Sequence, residues 1–473
     1  MDQMKAPLFD ALIRHINRST GNFHVPGHKQ GQAFDDAGKK WFASVLQLDL
    51  TEVGELDDLH HPQGAILEAQ QLASAAFRAE HTLFLVGGTT AGILATILHL
   101  CRPGEEIIIQ RNCHQSVFHG CMMAGAKQRY LPCEFDQNGM EIPISPDTVQ
   151  QMIRQYPQAK GVVITSPSYF GVVQNVREIA EICHAHQIPL VVDEAHGAHF
   201  GFHPRLPLSA IDQGADVSIQ STHKLLTSMT MSSMLHAQGE RVNIADIMRW
   251  LRMIESSSPS YPLMASLDLA RRWIATKGKE ELERLLIALD HFRGNIKNGS
   301  FIHEVSVLSP HDPLKLTLVA DPGVSGYAMA DWLNKQGIYA ELADHRKVLF
   351  VFSPGTTESE LSRLEQVLRR LDREISHFPK EPSFNLPSFS IHTQAKVEFD
   401  ELRRRKRRWI PLASAAGEIV TEMITPYPPG IPLVLPGEEL REEVLHFLCD
   451  VIRRGGNVRG IRSSDTPAVE VLL

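Results

Sequence analysis

Between about residue 80 and residue 240, short apolar runs alternate with amphipathic stretches, the pattern of strands alternating with helices. HTLFLV, EIIIQ, KGVVIT, PLVVD, DVSIQ and SSMLH are predicted strands, and AGILATILHLC, DTVQQMIRQY and VREIAEICHAH are predicted intervening helices. Such alternation requires crossover connections, so the expectation is an α/β protein whose mainly parallel sheet carries helices on both faces. In sheets of this kind ligands bind beyond the carboxyl ends of the strands. The polar motifs GGTT, RNCH, TSPSY, DEAH and STHK each follow a predicted strand directly and should face one crevice.

The flanks follow other patterns. NFHVPGHKQG and LDDLHHPQG are rich in Gly, Pro and His and lack the periodicity of a core, so an arm over residues 1–60 is expected to pack on something else. From about Glu240 to Asn298 the pattern is helical throughout, which extends a large domain over 61–298. LKLTLVAD, SGYAMADWLNKQG and KVLFVF then suggest a smaller α/β domain at 299–376. Pro379, Pro382 and Pro387 mark a linker, and a C-terminal domain is placed at 377–473. The run Arg403 to Arg408, RRRKRR, follows VEFDELR and reads as the solvated face of a mixed-charge helix rather than a nucleic-acid patch.

Composition narrows the setting. The chain has 473 residues, of which 43% are hydrophobic and 22% charged, giving room for two or three domains of ordinary soluble character. A formal charge of -8 offers no general attraction for nucleic acid or anionic lipid. Charges interrupt every apolar run near the N-terminus, and no stretch approaches the roughly 18 to 20 apolar residues of a membrane span, so a cytoplasmic location is expected. The six cysteines include no CxxC pair and are expected to be reduced.

Candidate chemistry concentrates at the predicted strand ends. In STHK, Lys224 stands beside the hydroxyls of Ser221 and Thr222 and the imidazole of His223, a setting that suits a Schiff base. Asp193 closes the apolar strand PLVV, where a carboxylate is costly to bury unless paired, and a protonated pyridine nitrogen would pair it. Gly87 to Gly92, GGTTAG, joins a strand to a helix, where glycines, hydroxyls and about half a positive charge at the helix start suit a phosphate. Together these residues suggest pyridoxal 5'-phosphate, PLP. His196 is placed to reach the phenolic oxygen of such a cofactor, and His114 could stack on its ring. Each feature also has a structural reading: a helix cap for GGTT, an ion pair or cap for Asp193, a satisfied structural histidine for His114. The absence of a GK[ST] ending argues against a nucleotide P-loop, and hence against reading VVDEAH as a Mg-binding helicase strand. His184, His186, His196, His199 and His203 form no HExxH or Cys-His pattern, so no metal is expected.

In chain order, FHVPGHKQG, LDDLHHPQG, GGTTAG, RNCHQS, VVDEAHGAHF, STHKLL, SSSPSYPLMASLD and PYPPGIPLVLPGE resemble the bacterial ornithine/lysine/arginine decarboxylase family, from about Asn22 to Glu438. The resemblance implies the aspartate aminotransferase fold, fold type I of PLP enzymes, and decarboxylation of arginine, lysine or ornithine to the amine in polyamine-related metabolism. It is to the short form without an N-terminal wing domain, so the large ring assembly associated with that wing is not implied. Carried over, Lys224 is the lysine bonded to the cofactor and Asp193 the partner of its ring nitrogen. Thr89, Thr90, Ser221 and His223 match phosphate-binding positions, His114 the ring-stacking histidine, and Ala195 the contact on the other ring face; Thr222 is a spacer. Position 196 varies in this family, which leaves the His196 contact open.

Ser256 matches a residue that reaches the phosphate of a neighbouring subunit, which implies a homodimer or a dimer of dimers with shared active sites. In the reaction so implied, Asp193 keeps the ring nitrogen protonated, and His223 or the released Lys224 returns a proton to the α-carbon. Glu422, and after it Glu341, are candidates for the distal cation of the substrate. Two other readings stay open: transamination or elimination on the same fold, for which Arg346 could hold the α-carboxylate, and a non-catalytic PLP-binding paralogue.

Overall fold

The computed structural model describes every residue except 137, 298, 308–309, 321–322, 379, 381–394, 428–429 and 463–465. The linker prolines Pro379, Pro382 and Pro387 thus lie outside the described residues. The chain divides into two compact units, one of Met1–Arg102, Ile153–Pro167 and Asn175–Glu283, the other of Pro103–Met152, Ser168–Gln174 and Arg284–Leu473.

In the first unit the strands lie side by side in the order His81–Leu85, Ser233–Ala237, Val217–Gln220, Leu190–Asp193, Val162–Thr165. The last three are parallel, with Thr165 opposite Asp193 and Asp193 opposite Ile219. Their apolar residues are buried throughout, which is why they read as continuous apolar runs rather than as alternation. Ser233–Ala237 is antiparallel to both of its neighbours. The sheet is therefore mixed at this side: the connection from Gln220 holds only the helical turn Thr222–Leu225, whereas a parallel return needs a full crossover. The helix Val176–Ala185 shows the expected amphipathic stripe, burying Val176, Ile179, Ala180 and Cys183 at spacings of one helical face.

The region from Glu240 is not one helix. Ile244–Ile254 ends before Glu255, and Tyr261–Ile296 begins after the Ser-rich turn that contains Pro259. In the arm, Asp35 caps the helix Asp36–Leu48 by accepting from the N–H groups of Ala37 and Gly38, and Leu46 is that helix's buried residue. Trp41 is 79% exposed and Phe23 fully so.

In the second unit, Glu106–Gln110 and Lys127–Leu131 pair in parallel around the helix Gln115–Ala124. A separate antiparallel sheet orders Ile302–Glu304, Lys315–Ala320, Lys347–Val351 and Leu342–Ala343, with the helices Gly326–Lys335 and Glu358–Glu374. The latter helix opens on a capping box formed by Thr357 and Glu360. Near the C-terminus Arg407–Pro411, Ala468–Leu472 and Ile461–Arg462 form a small sheet, and the helix Glu442–Arg453 contributes to the same apolar cluster as Val469 and Val471.

The expectation of a helix through Arg403–Arg408 is corrected here. The helix is only Phe399–Leu402, and Arg407 and Arg408 open a strand. Pairing of Arg407–Pro411 with Ala468–Leu472 decides the local structure against helical propensity, while all six residues remain exposed as expected. All six cysteines are free. Among the described residues no helix is long and apolar enough to cross a membrane.

Candidate active site

The GGTT motif forms where the strand His81–Leu85 gives way to the helix Gly88–Leu100. Gly88 has φ +74°, a left-handed backbone that glycine adopts without a Cβ penalty. The first N–H groups of this helix lack intrahelical partners and lie at its positive end. Thr89 Oγ1 is 3.2 Å from Ser221 Oγ, which brings the GGTT and STHK turns together. Thr90 is exposed. Ser256 is also exposed; its Oγ accepts from the Ser258 N–H, and its carbonyl oxygen lies 2.8 Å from His60 Nε2.

Two neighbouring strand ends carry the ionisable groups. Asp193 is 3% exposed and accepts from the Ala195 N–H at 3.2 Å. Burial pushes its carboxyl above the ordinary range, and the positive charge of Lys224 opposes that shift. Lys224 Nζ lies 2.9 Å from His196 Nε2. An ammonium can only donate, so while Lys224 is protonated His196 accepts at Nε2 and carries its own proton on Nδ1. His223 Nδ1 lies 2.9 Å from the carbonyl oxygen of Ser232. A carbonyl can only accept, so Nδ1 bears the proton and Nε2 of the neutral ring is left as a base. Burial holds the His223 pKa below its usual value; the bond to Ser232 opposes this and the charge of Lys224 adds to it. Thr222 is fully buried, and its Oγ1 has no hydrogen-bond partner among the described residues.

Glu194 follows Asp193 but serves a different network. It accepts from the Ala210 N–H at 2.8 Å, the Ser218 hydroxyl at 2.6 Å and the Gln220 amide at 2.9 Å, and burial pushes its pKa up to about 7. Gln220 Oε1 lies 3.1 Å from His236 Nε2, and His236 Nδ1 lies 2.9 Å from Thr82 Oγ1. Burial lowers the His236 pKa to about 3, so that ring is neutral.

These residues fit PLP. The set supplies an amine for its aldehyde in Lys224, a buried carboxylate for its ring nitrogen in Asp193, and a helix start with two hydroxyls for its phosphate. One further residue escaped the sequence reading: Glu255, whose Oε1 accepts from the N–H groups of Val86 and Gly87. Its only signal is a carboxylate directly before the Ser-rich turn.

The second unit holds the other expected residues. His114 caps the helix Gln115–Ala124, its Nδ1 accepting from the Ser116 N–H at 3.3 Å and lying 2.8 Å from Ser116 Oγ. Arg111, three residues earlier, donates to the carbonyls of Pro432 and Leu433 and to the buried carboxylate of Glu438. This links RNCHQS to PLVLPGE, a pairing that the sequence did not reveal. Glu341 is exposed and accepts from the Tyr169 hydroxyl at 2.9 Å. Glu422 is exposed, and so is Arg346, whose backbone N–H donates to Asp344. Among the described residues no group of His, Cys, Asp and Glu side chains could hold a metal ion. His184 instead meets Asp216, and His203 meets Glu283.

Comparison with known proteins extends this picture. A family model described as Orn/Lys/Arg decarboxylase, major domain, matches residues 6–317, and the corresponding C-terminal domain matches 384–457. The chain is 39% identical to the uncharacterized protein YaaO of Bacillus subtilis, over 97% of this chain and 96% of that one. It is 34% identical to an arginine decarboxylase of Bacillus anthracis, again over 97% of this chain and 96% of the relative. Among solved structures, the constitutive lysine decarboxylase of Escherichia coli has a similar fold, with a TM-score of 0.84 at 22% identity, covering 100% of this chain and 82% of that one.

Proposed function

The chain belongs to the Orn/Lys/Arg decarboxylase family, and from that premise we propose that it decarboxylates L-arginine to agmatine. It is a PLP-dependent amino-acid decarboxylase of the α/β, fold type I class, acting on a basic amino acid. The choice of arginine rests on one observation, the 34% identity to an arginine decarboxylase along nearly the whole of both chains. On this reading the product feeds polyamine-related metabolism in the cytoplasm.

When bound, PLP supplies the electron sink for the bond that breaks as carbon dioxide leaves. The residues around it have separable tasks. Lys224 ties the cofactor through Nζ, which must lose a proton to act as a nucleophile, and His196 Nε2 at 2.9 Å is placed to take it. Asp193, buried at its strand end, is the carboxylate that keeps a proton on the ring nitrogen. Thr89, Thr90, Ser221 and His223 are assigned to the phosphate, Ala195 and His114 to the two ring faces. His223 Nδ1 is committed to Ser232, so only Nε2 is left, and its contact to the phosphate requires the protonated ring, whose Nε2–H is then spent on that contact. That favours Lys224 Nζ over His223 as the donor of the proton that returns to the α-carbon.

Glu422, and after it Glu341, are assigned to the distal guanidinium, for which a carboxylate is the natural bidentate partner. A homodimer, or a dimer of dimers, with Ser256 completing the partner's phosphate site belongs to the same proposal. The exposed apolar side chains of the arm, Phe23, Val25, Trp41 and Phe42, support it, because such surface is normally covered.

The test is a panel of L-arginine, L-lysine and L-ornithine with PLP, scored for carbon dioxide and for agmatine, cadaverine or putrescine. Arginine should give the highest kcat/KM. A preference for lysine or ornithine overturns the substrate assignment, and keto acid in place of carbon dioxide overturns the reaction.

A further inference from the structure

The GGTT turn is held from behind by a carboxylate. Val86 and Gly87 stand between the strand His81–Leu85 and the helix Gly88–Leu100. Their N–H groups both donate to one oxygen, Glu255 Oε1, at 2.9 and 2.7 Å. Glu255 is buried and is itself fixed, because its own N–H closes the helix Ile244–Ile254 on the Leu251 carbonyl at 2.8 Å. Gly87 makes the approach possible: a Cβ at that position would lie 3.1 Å from Glu255 Oε1 and 3.0 Å from the Ala91 side chain.

The clamp continues into the arm. His60 of LDDLHHPQG meets the carbonyl of Ser256 at 2.8 Å, and Tyr261 donates its hydroxyl to the carbonyl of Asp57. The Asp57 carboxylate in turn gathers the N–H groups of Gln63, Gly64 and Ile66 at the start of the helix Ala65–Phe77. Three motifs distant in sequence, LDDLHHPQG, the Ser-rich turn and GGTT, thus form one chain of contacts.

A buried carboxylate beside an anion-binding turn is electrostatically the wrong sign, since its charge repels a phosphate. Its presence makes sense only through the geometry that it imposes. We propose that Glu255 is a positioning residue for the cofactor phosphate: by occupying the N–H groups of Val86 and Gly87 it fixes the turn and leaves the first helical N–H groups, Gly88 to Thr90, to the anion. This rests on PLP being the cofactor, as the family assignment has it.

Because the effect acts through the phosphate, pyridoxal, which lacks it, is the control ligand. The full-length chain freed of cofactor is titrated with PLP and separately with pyridoxal, following the absorbance of the adduct with Lys224. Glu255→Ala should weaken PLP about tenfold and leave pyridoxal within about twofold. Glu255→Gln keeps an Oε1 acceptor and should hold PLP affinity within about threefold. Glu255→Asp keeps the charge but withdraws it from the two N–H groups and should resemble Ala, which preserves the test if the Ala variant does not fold. Equal losses for PLP and pyridoxal, no loss in Ala or Asp, or a Gln variant as damaged as Ala each overturn the proposal. A wild-type chain that forms no adduct with either ligand overturns the cofactor assignment instead, and this inference with it.

Discussion

Several of the residues singled out in the first unit meet one another, whereas His114 and Glu341 in the second unit make contacts within that unit and not with each other. Lys224 sits against His196, Asp193 feels the charge of Lys224, and Thr89 meets Ser221. In the second unit His114 turns to its own helix, Glu341 holds the Tyr169 hydroxyl, and Glu422 is simply exposed. The contrast separates two kinds of requirement. Holding a rigid aromatic cofactor needs several groups at fixed positions, and adjacent buried strand ends are suited to offer them. Holding the distal cation of a flexible substrate needs one carboxylate at a suitable distance, a condition that many surface glutamates meet.

Lys224→Ala breaks the contrast most severely. It should abolish the yellow adduct and lower kcat on the order of 10^4-fold or more. An adduct that survives borohydride reduction in this variant would move the covalent site elsewhere and dissolve the cluster as described. Asp193→Asn preserves shape and removes the charge, so the adduct should form while kcat falls about a hundredfold to a thousandfold. Unchanged kcat would show that the buried carboxylate is only structural.

The second unit is probed by Glu422→Gln and Glu341→Gln. Loss of a charge-assisted contact to the substrate cation should raise KM for arginine about tenfold with kcat retained. That result is expected for Glu422. Glu341 is already committed to Tyr169, and its replacement should change KM by no more than about threefold. The reverse order would reassign the distal site, and no effect at either position would empty this part of the comparison.

The same contrast explains what could be read in advance. The Lys224, Asp193 and GGTT groups were legible because a motif directly after an apolar strand is a local signal, and the strand-end rule supplies the rest. Glu255 was hidden because its acceptor role joins positions 168 residues apart, and Arg111–Glu438 because its partners are 327 apart. RRRKRR misled for a related reason: its charge pattern suits a helix, but the residues that decide its conformation lie in Ala468–Leu472. Ser233–Ala237 reads as a strand, yet only the shortness of the preceding turn tells that it runs antiparallel. Glu341 and Glu422 could be nominated by charge alone, which fixes neither position nor partner.

The smallest expected effect divides two carboxylates that are neighbours in the chain. Asp193 is proposed to serve the cofactor, while Glu194 is tied to Ser218, Gln220 and Ala210. The folded Glu194 pKa is raised from 4.5 to about 7, so the stability that it contributes is complete below pH 4.5 and is lost as pH rises through about 7. His236, in the same network, is lowered from 6.5 to about 3; its contribution is complete above pH 6.5 and is lost as pH falls toward 3. Glu194→Gln removes only the first dependence. The variant's Tm relative to wild type should therefore be more favourable at pH 8 than at pH 5, by about 2 °C or more, with PLP affinity unchanged. Parallel Tm curves would mean that Glu194 stays ionised across this range, and lost PLP affinity would join it to the cofactor site with Asp193.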